Sequence, residues 1–142
     1  MPTQYIALER LESIYKSCNL VSNICVHANP NAKQPMAIII PHAEHLRQTL
    51  ASKANVDSGK PLPELCHDPA VADLFLKELN ALGKKNGFKP LELLQTVVLT
   101  SEEWTPESGL VTAAQKVQRK KVAEAFEKEI KVRFRRWVSL SR

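Results

Sequence analysis

The run Pro35-Met36-Ala37-Ile38-Ile39-Ile40-Pro41 constrains this chain more than any other stretch. Three consecutive isoleucines favour a strand, where branched side chains pack well, over a helix, where they crowd the preceding turn. Successive side chains of a strand point to opposite faces, so an unbroken apolar run must be covered on both sides. Pro41 ends it. The chain therefore has to supply structure above and below this strand, and 142 residues suffice for one domain with such a core.

The remaining pattern supplies the partners. In residues 21–28, Val21, Asn23, Cys25 and His27 alternate with Ser22, Ile24, Val26 and Ala28. Asn29-Pro30-Asn31 is a turn signal, so 21–28 and 35–41 read as a β-hairpin. Leu8, Leu11, Ile14, Tyr15 and Cys18 predict an amphipathic helix over 7–18. Ala43, Leu46 and Leu50 predict another over 42–54. Residues 55–68 are punctuated by Gly and Pro and read as a loop. Asp68 then caps a helix with Pro69 at its first position. Its apolar face is Val71, Leu74, Phe75, Leu79 and Leu82, with Gly83 and Gly87 as candidate stops. LLQTVVLT, residues 93–100, predicts a further strand. Val122, Phe126, Ile130 and Phe134 recur every four residues and predict a last helix over 118–136. Glu124–Lys128, Glu127–Lys131 and Glu129–Arg133 support it, each contributing about 0.2–0.5 kcal/mol. The expected fold is α+β: a small mixed or antiparallel sheet with a β-hairpin, covered by three to four helices. One domain spans 1–142, with a body at 5–100, a loop at 101–117 and a basic C-terminal helix at 118–137.

Charge is unevenly spread. Residues 116–142 hold ten Lys/Arg against three Glu, while the rest holds ten against twelve acidic residues. A basic end on a nearly neutral body points to an anionic partner. Arg119, Lys120, Lys121, Lys128, Lys131, Arg133, Arg135 and Arg136 could contact phosphates, with Phe126, Phe134 and Trp137 as aromatics. The two Phe also fit the core stripe, and a solvated helix face accounts for the same charges. No apolar run reaches about 18 residues, and the N-terminal stretch is too polar for a signal peptide. Cys18, Cys25 and Cys66 read as reduced thiols of a cytosolic chain, two of them on core faces. His42 and His45, with Cys66-His67 downstream, lack paired ligand spacing and read as surface residues, so no metal site is expected. Phosphate-loop, nucleophile-elbow, dinucleotide and zinc-protease motifs do not occur.

Residues 104–121, WTPESGLVTAAQKVQRKK, read locally either as a loop followed by a solvated helix start or as a segment that carries a lysine to a substrate lying elsewhere. Trp104 can anchor the segment and Thr105-Pro106 can begin a turn. Gly109 permits a backbone conformation closed to other residues. Leu110 to Gln115 leave room for an extended strand and a tight turn. Lys116 follows, a compact cation on a flexible stem, suited to an anionic oxygen.

Residues 5–28 resemble the segment just past the interdomain hinge of the long-chain fatty acyl-CoA synthetases, in the adenylate-forming superfamily. Residues 104–122 resemble their C-terminal lysine motif G-x-x-T-x-x-x-K-x-x-R, here Gly109, Thr112, Lys116 and Arg119. The order between them is also similar, so the resemblance spans nearly the whole chain. It implies a mobile C-terminal lid of an ATP-dependent fatty acid–CoA ligase, inactive when isolated. Lys116 would serve fatty acyl-adenylate formation. Tyr5, Ile6 and Ala7 would lie near the pantetheine passage and Arg119 near the nucleotide of coenzyme A. ATP, Mg²⁺ and fatty acid would be held mainly by a large N-terminal domain, the implied partner. The implied location is cytoplasmic, with room for peripheral association of the full enzyme with membranes. Thr3-Gln4 stand where the family has Gly-Glu, Ala113-Ala114-Gln115 replace a Pro-Thr-containing version, and RFRRWVSLSR has no counterpart. Leu140-Ser141-Arg142 do not match a peroxisomal signal. The alternatives are a basic nucleic-acid-binding module on residues 116–137 and a stand-alone interaction domain.

Overall fold

A computed structural model describes residues 8–28, 34–53, 59–114 and 116–132. Among the described residues three strands form one sheet: β1 (Val21–His27), β2 (Met36–Pro41) and β3 (Val97–Leu99). The isoleucine strand β2 lies in the middle, paired antiparallel with β1 and parallel with β3. The hairpin register sets Cys25 opposite Ile38 and Val26 opposite Ala37, with an irregularity between Val21 and Asn23. The parallel pair needs a long crossover. It is built from α2 (Ala43–Lys53), the short α3 (Leu62–Cys66) and α4 (Pro69–Lys85), while α1 (Leu8–Lys16) precedes β1.

All six residues of β2 are buried, and the alternation of their side chains divides the core in two. On one face Ala37 and Ile39 join Ile24, Val26, Val97 and Leu99 under Leu11 and Tyr15 of α1 and Phe75 and Leu79 of α4. On the other, Ile38 and Ile40 join Cys25 and Val98 under Trp104, Val111, Val122, Phe126 and Ile130. Each fully buried isoleucine contributes about 1.5–3 kcal/mol. The second layer consists of the lysine-bearing segment and α5 (Arg119–Ala125), so the segment packs on the core it helps to close.

Helix α4 starts as the sequence predicts: Asp68 Oδ1 accepts the Ala70 amide at 2.9 Å and Pro69 follows it. The helix passes through Gly83 and stops at Gly87, at φ +80°. There the Phe88 amide donates to the Gly83 carbonyl at 2.9 Å and the Gly87 amide to the Lys84 carbonyl at 3.1 Å, a Schellman closure. Gly83 instead serves close packing. A Cβ there would lie 2.8 Å from Phe88 Cδ2 and 3.2 Å from both Leu93 Cδ2 and Tyr15 Oη.

Three further expectations change. The predicted loop 55–68 contains α3, whose Leu65 and Cys66 are buried. The strand predicted over 93–100 shrinks to Val97–Leu99. Asn80 of α4 takes both polar groups of Leu94, accepting its amide at 2.8 Å and donating to its carbonyl at 2.9 Å, and so withdraws that residue from the ladder. The last helix bends: α5 ends at Ala125, Phe126 stands at φ −108°, and helix resumes over 127–132. Glu127–Lys131 closes at 2.9 Å, whereas Glu124 and Lys128, on opposite sides of the bend, form no ion pair with each other. Glu129–Arg133, Phe134 and Trp137 reach outside the described residues.

Candidate functional site

The segment from Trp104 to Arg119 is a built arm. Trp104 is buried in the second core cluster and anchors its start. Thr105-Pro106-Glu107-Ser108 turns the chain, with the Ser108 amide on the Thr105 carbonyl at 3.1 Å. Gly109 follows at φ +79°, in a region that L side chains rarely enter. The chain then doubles back as a narrow hairpin in which Val111 bridges Val117 antiparallel. The Gln118 amide donates to the Leu110 carbonyl at 2.8 Å, and Gln118 Nε2 to the Gly109 carbonyl at 3.2 Å.

Thr112 and Lys116 close the tip. The Thr112 amide donates to the Lys116 carbonyl at 2.8 Å, and the Lys116 amide donates to Thr112 Oγ1 at 3.1 Å. A threonine four residues before the lysine thus fixes both polar backbone groups of the lysine. The Lys116 side chain is exposed and forms no ion pair among the described residues. It lines an open cleft of about 370 Å³ with Glu9, Ser13, Lys16 and Asn23. Cations and carboxylates are mixed on that wall, so the cleft has no single-sign field to concentrate an anion. The ammonium remains available to an oxygen anion brought from outside.

Arg119, the first residue of α5, is engaged differently. Its Nη2 donates to Glu12 Oε1 at 2.7 Å, and its Nε reaches Glu12 Oε2 at 3.3 Å and the Val26 carbonyl at 3.1 Å. Glu12 Oε2 also accepts the Val26 amide at 2.7 Å. The guanidinium therefore joins α5, α1 and β1. Next to the pair, burial pushes the Cys25 thiol up to about 12; the Glu12 carboxylate adds to this and Arg119 opposes it.

The structure brings together Trp104, Gly109, Thr112, Lys116 and Arg119 as one arm. Tyr5, Ile6 and Ala7 lie outside the described residues. Glu12 was not legible as a site residue: on the polar face of an amphipathic helix, 107 residues from Arg119, it carries no local signal. Gln118 was equally silent. Elsewhere the histidines make local contacts. His42 and His45 have ring centroids 4.4 Å apart, and His67 Nδ1 lies 2.8 Å from the Pro63 carbonyl. No three His, Cys, Asp or Glu side chains converge among the described residues.

No protein-family model matches the chain. Whole-sequence relatives do. Long-chain-fatty-acid–CoA ligase 1 of Schizosaccharomyces pombe is 45% identical over 127 residues, which are 89% of this chain and 19% of that protein. Long-chain-fatty-acid–CoA ligase 3 of Saccharomyces cerevisiae is 38% identical over 127 residues, 89% of this chain and 18% of that protein. The chain is homologous to part of the long-chain-fatty-acid–CoA ligases. It spans about a fifth of the length of these ligases. In fold it is similar to the adenylation domain of a carboxylate reductase from Mycobacterium chelonae, with a TM-score of 0.72 at 23% identity, over 91% of this chain and 18% of that one. The adenylation domain of the carboxylic acid reductase of Segniliparus rugosus, solved with AMP and a co-purified carboxylic acid, gives 0.71 at 21% identity, over 91% and 18%. The α+β architecture with a three-stranded mixed sheet is that of a segment of these adenylation domains.

Proposed function

We propose that residues 1–142 form the C-terminal lid domain of an ATP-dependent, AMP-forming long-chain fatty acid–CoA ligase, and that Lys116 is the lysine it supplies to fatty acyl-adenylate formation. The observation that carries this is the geometry of Lys116: an exposed ammonium on a hydrogen-bonded turn, in a chain similar to ligases along 89% of its length. A lysine held this way is free to meet an anionic oxygen brought from elsewhere.

In the first half-reaction the fatty acid carboxylate attacks the α-phosphorus of ATP and pyrophosphate leaves. Negative charge shifts from the carboxylate to the α-phosphate oxygens. A lysine between the two groups holds them in line and offsets that charge as it moves. The Thr112 contacts make the turn a fixed base, so only the side chain has to be ordered when substrate arrives. In the second half-reaction the coenzyme A thiol attacks the acyl carbonyl and AMP leaves. Lys116 is not required there, and the lid presents another face, with Tyr5, Ile6 and Ala7 toward the pantetheine and Arg119 on the coenzyme A side. ATP and Mg²⁺ are assigned mainly to the N-terminal adenylation domain, which is the partner of this chain. Mg²⁺ on the nucleotide would neutralise phosphate charge; the described residues supply no converging carboxylates for it. The proposed location is cytoplasmic, with peripheral attachment of the full ligase to membranes. No helix among the described residues is long and apolar enough to cross a membrane.

Two assays test this. Alone, the chain is expected to give no ATP–pyrophosphate exchange with palmitate, and robust exchange would overturn the assignment. Joined to the adenylation domain of a homologous ligase, Lys116→Ala should lower adenylate formation by about 10²–10³-fold, the scale for losing one preorganised stabilising group. Thioester formation from supplied palmitoyl-adenylate should stay within a few fold. Equal damage to both steps would refute the role of Lys116.

A further inference from the structure

Among the described residues β1 is an edge strand, and an edge leaves amide and carbonyl groups that need partners. At Val26 both are taken by side chains. Glu12 Oε2 accepts the amide at 2.7 Å and Arg119 Nε donates to the carbonyl at 3.1 Å. The two side chains then close on each other at 2.7 Å. A carboxylate and a guanidinium together thus offer one acceptor and one donor where a neighbouring strand would offer its backbone. The pair is partly shielded, with side-chain exposures of 15% for Glu12 and 30% for Arg119, so it is less screened than a surface ion pair.

The position of the pair gives it a further consequence. Arg119 lies three residues after Lys116 and one after Gln118, whose amide and side chain hold the base of the lysine hairpin. The hairpin tip is exposed at Ala113, Ala114 and Lys116, and the bonds between Thr112 and Lys116 tie it to itself rather than to the sheet. Orientation of the tip relative to the sheet therefore depends on what holds the junction between the hairpin and α5. On one side that is Val122 in the core, together with Val111, which is buried in the same cluster and bridged to Val117; on the other it is the guanidinium on Glu12 and Val26.

We propose that Glu12 and Arg119 are positioning residues for the Lys116 turn: the pair seals the β1 edge at Val26 and clamps the turn–α5 junction in one orientation. The importance of that orientation rests on Lys116 being the working end of the arm. The clamp itself is a property of this chain and is testable without ligase activity, so failure of one leaves the other standing.

The experiment is amide hydrogen exchange on the 142-residue chain. Arg119→Met keeps most of the stem and removes the donors. It should raise exchange at Thr112, Gln118 and Val26 by about tenfold or more, while Ala37 and Thr100 at the β2–β3 side keep their rates. Glu12→Gln should act in the same direction, and combining the two should add little. Leu79→Ala, a cavity in the opposite layer, is the control: it should lower the melting temperature without selectively speeding Thr112 and Gln118. If Arg119→Met does not fold, Arg119→Lys keeps the charge without the two-pronged geometry and should still raise exchange at Gln118 and Val26. Unchanged rates at Thr112 and Gln118 in the folded variant, or a rise no more selective than in Leu79→Ala, would overturn the proposal.

Discussion

Gly109→Ala isolates the conformational demand of the lysine arm. Gly109 sits at φ +79°, and a Cβ built there meets nothing within 4 Å, so no collision contributes to the cost. What remains is the backbone: an L residue in the left-handed region costs about 1–2 kcal/mol. For a chain of this size that corresponds to a melting temperature lower by roughly 3–7 °C. Asparagine tolerates the region better than alanine, so Gly109→Asn should lose less. Gly87→Ala is an internal standard, with φ +80° and equally open space. The two alanine variants should therefore lose similar stability by differential scanning calorimetry. They should differ in where the strain is felt. The Gly109 carbonyl accepts from Gln118 Nε2 at 3.2 Å, so relaxation there loosens the hairpin. Exchange of the Gln118 amide should rise in Gly109→Ala and stay unchanged in Gly87→Ala. An unchanged or higher melting temperature for Gly109→Ala would refute the backbone argument.

Trp104 is buried, yet its Nε1 has no hydrogen-bond partner among the described residues. Leaving such a donor unmet costs about 1–3 kcal/mol, so Trp104→Phe should recover much of what its smaller ring loses and stay within about 1 kcal/mol of wild type. Trp104→Ala should lose about 3–5 kcal/mol in urea denaturation, and a comparable loss for Phe would contradict this. Gly83→Ala gains about 1 kcal/mol of helix propensity but forces Phe88 away from a 2.8 Å contact. Overpacking costs about 1–3 kcal/mol, so the variant should be less stable than wild type, and a stabilised protein would show that the Phe88 ring yields freely. Partial burial holds the His27 imidazole below its usual range. The neutral ring is favoured in the fold, so its contribution is present above about pH 6.5 and falls as pH drops through that value, where the unfolded chain takes up the proton first. Urea midpoints at pH 7.5 and 5.5 should differ less in His27→Gln, and an equal difference would exclude His27 as a source.

Local chemistry determined much of this molecule. Three isoleucines between prolines required a strand covered on both faces, and β2 is buried along its whole length. Asp68-Pro69 specified a helix start, since the cap and the proline act within one turn. Trp104, the Thr105-Pro106 turn and Gly109 marked a segment ending on Lys116, and resemblance to a family motif added Thr112, whose bonds to Lys116 join residues close in sequence. Tertiary structure decided the rest. Asn80 shortened β3 by binding Leu94 across 14 residues. Contact with Tyr15 and Phe88 turned Gly83 from a stop into a packing site. The basic end that pointed to an anionic partner contains Arg119, and the fold commits that guanidinium to Glu12 and Val26 while leaving Lys116 exposed. Sequence spacing alone could not separate these two cations. What distinguishes them is a carboxylate 107 residues away, which only the docking of α1 beside β1 brings within reach.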